Sequence, residues 1–240
     1  MKDLKRLVGD RRTLLFFDLE ATQFSHEMIE IGAIRVTIKD DYTFKKVFKP
    51  YHAYVRPKHR IGSVVTKLTG ITEETLEKAI SYREVLNGLK KYLGKEFGKT
   101  VFVCYGDQDP RILQATVENN LDADKETSRF IMKHCMDFLK FFSQYVRDDK
   151  NCMLSLSRAC EVMAIPFKGK AHGALADTEN LMNLYDAFLK NPQMVEGEYR
   201  KLLGRGANLP TPVAQVIARL NKGETVTPEI YQQIVKESLK

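Results

Sequence analysis

The chain has 240 residues, of which 43% are hydrophobic and 29% are charged, and this balance excludes an intrinsically disordered protein. Its formal net charge of +7 favours a polyanionic partner, although the same excess of positive charge also serves solubility alone. The four cysteines form no CxxC pair, which argues against a zinc site, and no apolar stretch is long enough to span a bilayer.

Strand patterns dominate the first quarter of the chain. A short apolar run predicts a strand at 12–18, and a concentration of β-branched residues predicts a second strand at 28–38. The segment 42–57 alternates loosely around Pro50 and is typical of one bent strand or of two edge pieces. Three strand patterns joined by short connections indicate an antiparallel meander.

Helix patterns dominate the rest of the chain and enclose one further strand. The predicted strand lies at 100–106, and the predicted helices lie at 72–79, 81–93, 110–119, 136–146, 154–163 and 174–189. Strands that are followed by helices and one more strand predict an α/β fold, in which helices flank a mixed sheet.

The pattern changes near residue 190. An Asn-Pro-Gln break interrupts the helix, and a stretch rich in glycine and proline follows it. Two short amphipathic helices are then predicted around 213–220 and 230–239, and their apolar faces need a neighbour to pack against. We therefore expect a main domain at 1–190 and a small helical extension at 191–240.

Acidic side chains follow the most apolar early stretch of the sequence. Residues 14–17 are Leu-Leu-Phe-Phe and lead into Asp18 and Glu20, which a strand would place on the same face. Two adjacent carboxylates repel each other, and a hard divalent cation with oxygen ligands is their natural partner. For this pair alone, the alternative is a solvated strand end.

Two later stretches add further candidate ligands. The apolar strand at 100–106 leads into Asp107 and Asp109, just before a predicted helix. His172 lies five residues ahead of Asp177, at the start of another predicted helix. Acids that distant segments bring together are the usual basis of a two-metal site. For His172 taken alone, the alternative is a surface or helix-capping histidine.

In their order along the chain, these motifs resemble those of the DEDDh 3′–5′ exonucleases, the RNase T and DnaQ-like family. The matching residues are Asp18-x-Glu20, Asp109 and His172-x-x-x-x-Asp177. The stretches EMIEIGAI, AYVRP and LTGITEETLEKA resemble the Eri1-like RNA exonuclease branch, including bacterial sporulation-inhibitor (KapD-like) exonucleases. This likeness covers about residues 11–190. In the second motif the family pattern fits Asp109 better than its neighbour Asp107, which we interpret as a loop residue or helix cap.

The resemblance implies an RNase H-like fold with a mixed five-stranded sheet and two Mg²⁺ ions, for which Mn²⁺ would substitute. Asp18, Glu20 and Asp177 would hold one ion, and Asp18 would bridge to the second ion with help from Asp109 through water. His172 would be the general base that takes a proton from the attacking water. The implied activity is that of a metal-dependent 3′–5′ exonuclease, which releases 5′-nucleoside monophosphates from 3′ ends or overhangs of single-stranded RNA.

Candidate substrate-binding residues follow from the resemblance for the first two and from position and side-chain chemistry for the others. They are Ala21, Thr22, Phe24, Met28, Leu68, Lys168 and Lys170. The backbone of the first two would hold the 3′-terminal nucleotide, and Phe24 would stack on a base. Met28 and Leu68 would pack against or wedge between bases, with simple core packing as the alternative. The two lysines would meet the phosphate backbone, with solvated loop lysines as the alternative.

Three alternatives stand beside an RNA exonuclease. The first is a DNA-directed 3′–5′ exonuclease, and the second is a non-catalytic nucleic-acid-binding regulatory module, against which the complete motif set argues. The third is an acidic surface without metal, which would make every motif a coincidence. The expected partner is a single-stranded 3′ end, with RNA favoured over DNA and no membrane association. We expect a cytoplasmic protein with reduced thiols and no signal peptide, while protein partners and self-association stay open.

Overall fold

The computed structural model describes residues 2–169, 172–204 and 209–239. The helices are α1 (Lys2–Val8), α2 (Ser63–Thr69), α3 (Glu73–Glu77), α4 (Tyr82–Leu93), α5 (Gln108–Asn119), α6 (Lys125–Lys133), α7 (Phe138–Phe142), α8 (Leu156–Val162), α9 (Ala174–Lys190), α10 (Pro192–Gly204), α11 (Thr211–Asn221) and α12 (Pro228–Glu237). The strands are β1 (Thr13–Ala21), β2 (Met28–Ile38), β3 (Phe44–Val47), β4 (Tyr51–Tyr54), β5 (Thr100–Cys104) and β6 (Cys135–Asp137). A short 3₁₀ helix at Gly94–Lys99 connects α4 to β5.

A six-stranded mixed sheet forms the centre of the fold. Its strand order is β3-β2-β1-β5-β6, and β4 also pairs with β2. Strand β1 runs antiparallel to β2 and parallel to β5, which in turn runs parallel to β6. The predicted α/β class, with helices flanking a mixed sheet, is therefore confirmed, but the sheet has six strands in place of the predicted five.

Two regions differ from the sequence prediction. The segment 42–57 forms two edge strands because Pro50, which has no backbone N–H, separates them, and both strands pair with β2. The helix predicted at 136–146 is replaced by strand β6 and the short helix α7. There, pairing of Met136 with Val103 of β5 outweighs the local helical pattern. Helices α1, α2, α6 and α10 were not predicted, and Pro192 begins α10, where its missing N–H costs nothing.

Strand β1 is buried between two layers and carries the first motif. Leu15, Phe17 and Leu19 belong to a core cluster that includes apolar residues of α4 and α5. On the opposite face, the ring of Phe16 packs edge-on against Tyr185 of α9, with 5.3 Å between centroids. Each fully buried side chain of this size contributes roughly 1.5–3 kcal/mol, so apolar packing on both faces fixes the position of the strand.

Helix α9 approaches strand β2 very closely at Gly32. A Cβ atom at this position would lie 2.4 Å from the carbonyl oxygen of Ala174, so glycine is required here. The Thr178 hydroxyl of α9 also donates to the Gly32 carbonyl oxygen at 3.0 Å. These contacts place the first turn of α9, which contains Asp177, over the face of the sheet that carries Asp18.

The chain divides into two compact units. The first comprises the described residues within 1–141 and 155–190, and the second comprises those within 142–154 and 191–240. In the second unit, α10 packs against α11 and α11 packs against α12. The rings of Tyr145 and Tyr199 also pack there, with centroids 5.5 Å apart. The predicted division into 1–190 and 191–240 stays a prediction.

Candidate active site

Three carboxylates from two distant segments meet at the end of strand β1. Asp18 and Glu20 extend from β1, and Asp177 comes from the first turn of α9. One ligand oxygen from each of these side chains lies within 4.8 Å of the other two. All three residues are partly buried, so they differ from freely solvated surface acids. An oxygen-only donor set of this size is the kind that holds a divalent cation.

Burial and mutual repulsion disfavour the charged forms of these acids. Burial raises the pKa of Glu20 to about 8, and repulsion from Glu30 adds to the effect. Burial also raises the pKa of Asp18 well above its usual range, and the neighbouring carboxylates of Asp109 and Asp177 reinforce this shift. A divalent cation would relieve this repulsion, because it interacts favourably with the ionised forms.

Asp109 lies beside these three acids, in the first turn of helix α5. Its side chain is 4% exposed and accepts a hydrogen bond from the Leu19 N–H at 2.9 Å. Burial raises the pKa of Asp109 to about 7, although the hydrogen bond from Leu19 acts in the opposite direction. Asp107, the other acid of this motif, is exposed and forms an ion pair with Arg111 one turn along the helix. The bond to Leu19 thus ties Asp109, and not Asp107, to strand β1.

His172 immediately precedes helix α9 and is exposed. Its φ angle of +66° lies in the left-handed region, which residues other than glycine rarely adopt. Its backbone N–H donates to Asp177 Oδ2 at 3.0 Å. Strained backbone of this kind persists where the surroundings fix it, often at functional sites. The hydrogen bond therefore holds His172 next to one carboxylate of the three-acid group, which consists of Asp18, Glu20 and Asp177.

A cavity of about 610 Å³ opens beside Glu20. Ala21 and Thr22 line one side of it, and Gln108 and Arg111 of helix α5 line another side. Its volume lies within the range of ligand pockets, and a ligand bound there would lie next to the three-acid group. Sequence reasoning missed the two α5 residues, because a helical pattern does not tell which exposed face borders a cavity.

The loop between β1 and β2 is held by internal hydrogen bonds and presents an aromatic side chain. The Thr22 N–H donates to the Glu27 carbonyl at 2.8 Å, and the Glu27 N–H donates to Thr22 Oγ1 at 2.9 Å. Phe24 lies within this loop and is 79% exposed. An exposed ring on a fixed loop is suited to stacking against a base.

The other candidate substrate residues occupy different environments. Leu68 lies on helix α2 and is 46% exposed. Met28 is fully buried, and its N–H donates to Thr116 Oγ1 at 2.8 Å, which corresponds to the core alternative left open by the sequence. Lys168 is exposed, and Lys170 lies outside the described residues. Leu68 and Lys168 are thus accessible to a ligand, whereas Met28 is not.

A buried acid outside the sequence motifs borders the three-acid group. Glu30 of β2 lies opposite Glu20 in the β1–β2 register and is 6% exposed. Its Oε1 lies 2.6 Å from His52 Nε2, and its Oε2 accepts a hydrogen bond from the Ala174 N–H at 3.1 Å. The sequence motifs missed Glu30, because only the pairing of the two strands brings it next to the site.

A mixed sheet flanked by helices, with three carboxylates at the end of its central strand, defines an RNase H-like fold with a candidate metal site. The exonuclease (RNase_T) family matches residues 15–185, and the chain belongs to this family. The predicted enzyme class, a hydrolase of the 3′–5′ exonuclease type, is thereby confirmed at the level of this domain. The family also implies divalent metal ions. The specific likeness to sporulation-inhibitor exonucleases stays a prediction.

Two groups of curated proteins are similar to parts of the chain. A PolC-type DNA polymerase III from Mycoplasmopsis pulmonis is 30% identical over 117 residues, which cover 47% of this chain and 8% of that protein. A DNA polymerase III subunit epsilon from Buchnera aphidicola is 33% identical over 87 residues, which cover 36% of this chain and 35% of that protein. The chain therefore spans well under half the length of these relatives.

Solved structures share the fold at low sequence identity. One is a 3′-exonuclease that recognises the 3′ end of a histone mRNA stem-loop, with a TM-score of 0.63 and 19% identity. The match covers 77% of this chain and 66% of that one. Another is the nuclease domain of 3′hExo, a DEDDh family member bound to rAMP, with a TM-score of 0.59 and 20% identity. That match covers 76% of this chain and 94% of that one, and it supports the RNase H-like fold.

Proposed function

We propose that the chain is a metal-dependent 3′–5′ exonuclease, which releases 5′-nucleoside monophosphates from 3′ ends or overhangs of single-stranded RNA. The observation that carries this proposal is the meeting of Asp18, Glu20 and Asp177 within 4.8 Å of one another at the end of β1. The hydrogen bonds that hold Asp109 to β1 and the His172 backbone to Asp177 support the same assignment.

Two Mg²⁺ ions are the proposed cofactors, with Mn²⁺ as a substitute. Asp18, Glu20 and Asp177 would hold one ion, and Asp18 would also hold the second with help from Asp109 through water. The oxygen-only donors and the raised pKa values of these acids support a hard cation at this position. When bound, such ions stabilise the charge on the attacking and leaving oxygens of a phosphodiester hydrolysis.

The protein's own groups have separate tasks in the proposed reaction. His172 takes a proton from the attacking water as general base. The cavity lined by Ala21 and Thr22 holds the 3′-terminal nucleotide, so that its phosphate lies against the neighbouring carboxylates. Phe24 stacks on a base, and Lys168 meets the phosphate backbone. One nucleotide is released at a time because the 3′ end of the nucleic acid must occupy this cavity.

RNA is the proposed substrate, and DNA is the second candidate. The segments 27–34, 53–57 and 68–79 support RNA, because they resemble Eri1-like RNA exonucleases. The fold-level similarity to a 3′-exonuclease that recognises a histone mRNA stem-loop agrees with this choice. The curated relatives are DNA polymerase III proteins, and this observation favours a DNA-directed 3′–5′ exonuclease.

A cytoplasmic location is also part of the proposal. The four cysteines are free, and two of them, Cys104 and Cys160, are buried, as expected where thiols stay reduced. None of the helices in the described part of the chain combines the length and the apolar character needed to cross a membrane.

The proposal is tested by incubating 5′-labelled single strands of RNA and of DNA with Mg²⁺, Mn²⁺ or EDTA. We expect strands that shorten stepwise from the 3′ end, with RNA degraded faster, and no shortening in EDTA or with the Asp18→Ala/Glu20→Ala variant. Faster degradation of DNA would favour the DNA-directed enzyme. If neither strand shortens although both still bind, the chain is a non-catalytic binding module.

A further inference from the structure

The start of helix α9 is held against the sheet by two side chains that do not belong to the exonuclease motifs. Glu30 Oε2 accepts a hydrogen bond at 3.1 Å from the N–H of Ala174, the first residue of the helix. The first amides of a helix have no partner within the helix, so this bond satisfies one of them. Glu30 Oε1 lies 2.6 Å from Nε2 of His52 on strand β4, and this second bond fixes the orientation of the carboxylate.

The two hydrogen bonds of Glu30 connect the motif that contains Glu20 with the motif that contains His172 and Asp177. Glu30 is the direct cross-strand partner of Glu20 in the β1–β2 register. Ala174 comes two residues after His172 and three residues before Asp177. A displacement of the start of α9 would therefore move the proposed general base and a proposed metal ligand together, relative to Glu20.

Other contacts between α9 and β2 do not replace these bonds. The close approach at Gly32 and the Thr178 hydroxyl set the distance between helix and strand. Both engage carbonyl oxygens, whereas the Glu30 carboxylate accepts a hydrogen bond from an amide at the helix start. Glu30 is 6% exposed, so water competes little for its carboxylate, and a negative charge at a helix N-terminus is favourable.

We infer that Glu30 is a positioning residue for the exonuclease reaction and that His52 holds Glu30 in its working orientation. This inference rests on the proposed function, because it concerns the placement of His172 and Asp177. Neither Glu30 nor α9 lines the cavity that receives the terminal nucleotide. The loss of Glu30 should therefore lower kcat and leave KM nearly unchanged.

Two substitutions at Glu30 separate the effect of its hydrogen bonds on the position of α9 from the effect of its negative charge. Glu30→Ala removes both hydrogen bonds and is expected to lower kcat by about 10- to 100-fold, the effect of a misplacement on the order of 1 Å. Glu30→Gln keeps an oxygen for the Ala174 N–H, and its amide NH₂ can donate to the ring nitrogen of a neutral His52. This conservative variant should therefore retain most of the wild-type kcat.

Asp124→Ala is a matched control for loss of stability. Asp124 caps helix α6 by accepting a hydrogen bond from the Thr127 N–H at 3.0 Å, and it also pairs with Lys90 at 2.8 Å. Its removal should lower the melting temperature while leaving kcat unchanged. A comparable loss of melting temperature in Glu30→Ala, together with a much larger loss of kcat, would identify positioning as the cause.

His52→Gln keeps the inference testable if Glu30→Ala does not fold, because the His52 side chain is 34% exposed. A reduced kcat with unchanged KM in this variant would support the inference. A wild-type kcat in folded Glu30→Ala or, failing that variant, in His52→Gln would overturn it, as would a Glu30→Gln protein as slow as Glu30→Ala. Inactive wild-type protein would instead contradict the proposed function, so the two failures are distinguishable.

Discussion

At the scale of single residues, the site combines acids suited to binding a cation with acids that hold the backbone in place. Oxygens of Asp18, Glu20 and Asp177 lie within 4.8 Å of one another. Glu30, in contrast, accepts a hydrogen bond through one oxygen from the Ala174 N–H at the start of a helix. Burial alone does not separate the two kinds of carboxylate, and Asp177 belongs to both, because its Oδ2 also accepts a hydrogen bond from the His172 N–H.

The substitution His172→Ala should separate proton transfer from metal binding. We expect the rate of RNA degradation to fall by about 10²–10⁴-fold, the usual contribution of a general base. Stabilisation by Mg²⁺ should persist, because the three acids are unchanged. Single-turnover kinetics and thermal melting with and without Mg²⁺ measure the two effects. A variant that keeps its rate, or that loses the Mg²⁺ stabilisation, would contradict the assigned role.

The pKa values predict how the stability of the metal-free protein depends on pH. The pKa of Glu20 rises from 4.5 to about 8 on folding, so the folded state binds its proton more tightly than the unfolded state does. The stability that Glu20 contributes is fully present when the pH is below the pKa of Glu20 in the unfolded state. This contribution is lost as the pH rises through the pKa of Glu20 in the folded state. Denaturant unfolding in EDTA should therefore show the free energy of unfolding decreasing from about pH 5 to about pH 8.

Glu20→Gln is the control for this pH dependence, because it removes the titrating group and keeps the shape of the side chain. Its free energy of unfolding should change less steeply over the same pH range. A residual slope is expected from Asp109, whose pKa is raised to about 7 by burial. Identical pH profiles for the wild type and Glu20→Gln would refute this explanation.

At the scale of helices and strands, local pattern predicted the elements that carry the motifs, whereas strand pairing decided the limits of β1 and the conformation of β6. The first strand was predicted at 12–18 but runs over Thr13–Ala21, because its pairing with β2 continues beyond the last apolar residues. Cys135–Asp137 was predicted as part of a loop and helix but pairs with β5. A short segment takes its conformation from its partner, and a local pattern contains no information about that partner.

The same reasoning explains which parts of the candidate site could be predicted. Asp18 and Asp109 follow apolar stretches, and His172 and Asp177 have a recognisable spacing, so their pattern is visible in one dimension. Glu30 is a single acid within a strand pattern, and its position depends on the register of two strands. Residues of this second kind can be found only once the chain is folded.

Gly32→Ala should disturb the docking of α9 on β2. The added Cβ would lie 2.4 Å from the carbonyl oxygen of Ala174, and the clash is with backbone atoms and not with a flexible side chain. We expect a loss of about 1–3 kcal/mol in the free energy of unfolding, together with lower activity, because Asp177 lies on the same helix turn. Gly98→Ala is the control, since its Cβ would meet nothing within 4 Å. Denaturant unfolding that gives equal stability for the two variants would rule out this role of Gly32.

At the scale of the whole molecule, the family match and the compact units do not coincide. The exonuclease family covers residues 15–185, whereas the second unit includes 142–154 together with the described residues of 191–240. The packing of Tyr145 against Tyr199 contributes to this grouping. The sequence predicted a single division at 190, because a change in composition marks that point and none marks the earlier segment.

Ending the chain after residue 190 should lower its stability. The segment 142–154 would lose its partners from the same unit, including the contact between the Tyr145 and Tyr199 rings. We expect a lower melting temperature and self-association through the uncovered apolar side chains, measured by thermal unfolding and sedimentation velocity. Tyr199→Ala in the 240-residue chain is a milder control. A truncated chain that is as stable and monodisperse as the 240-residue chain would support an independent domain at 1–190.

The most direct test of the central claim uses single-stranded RNA labelled at its 3′-terminal nucleotide. The 240-residue chain with Mg²⁺ should release the label first as a 5′-nucleoside monophosphate, and the Asp18→Ala/Glu20→Ala variant should release none. That result would establish hydrolysis from the 3′ end at the group formed by Asp18, Glu20 and Asp177. Release of the label on longer fragments, or equal release by the variant, would contradict the account.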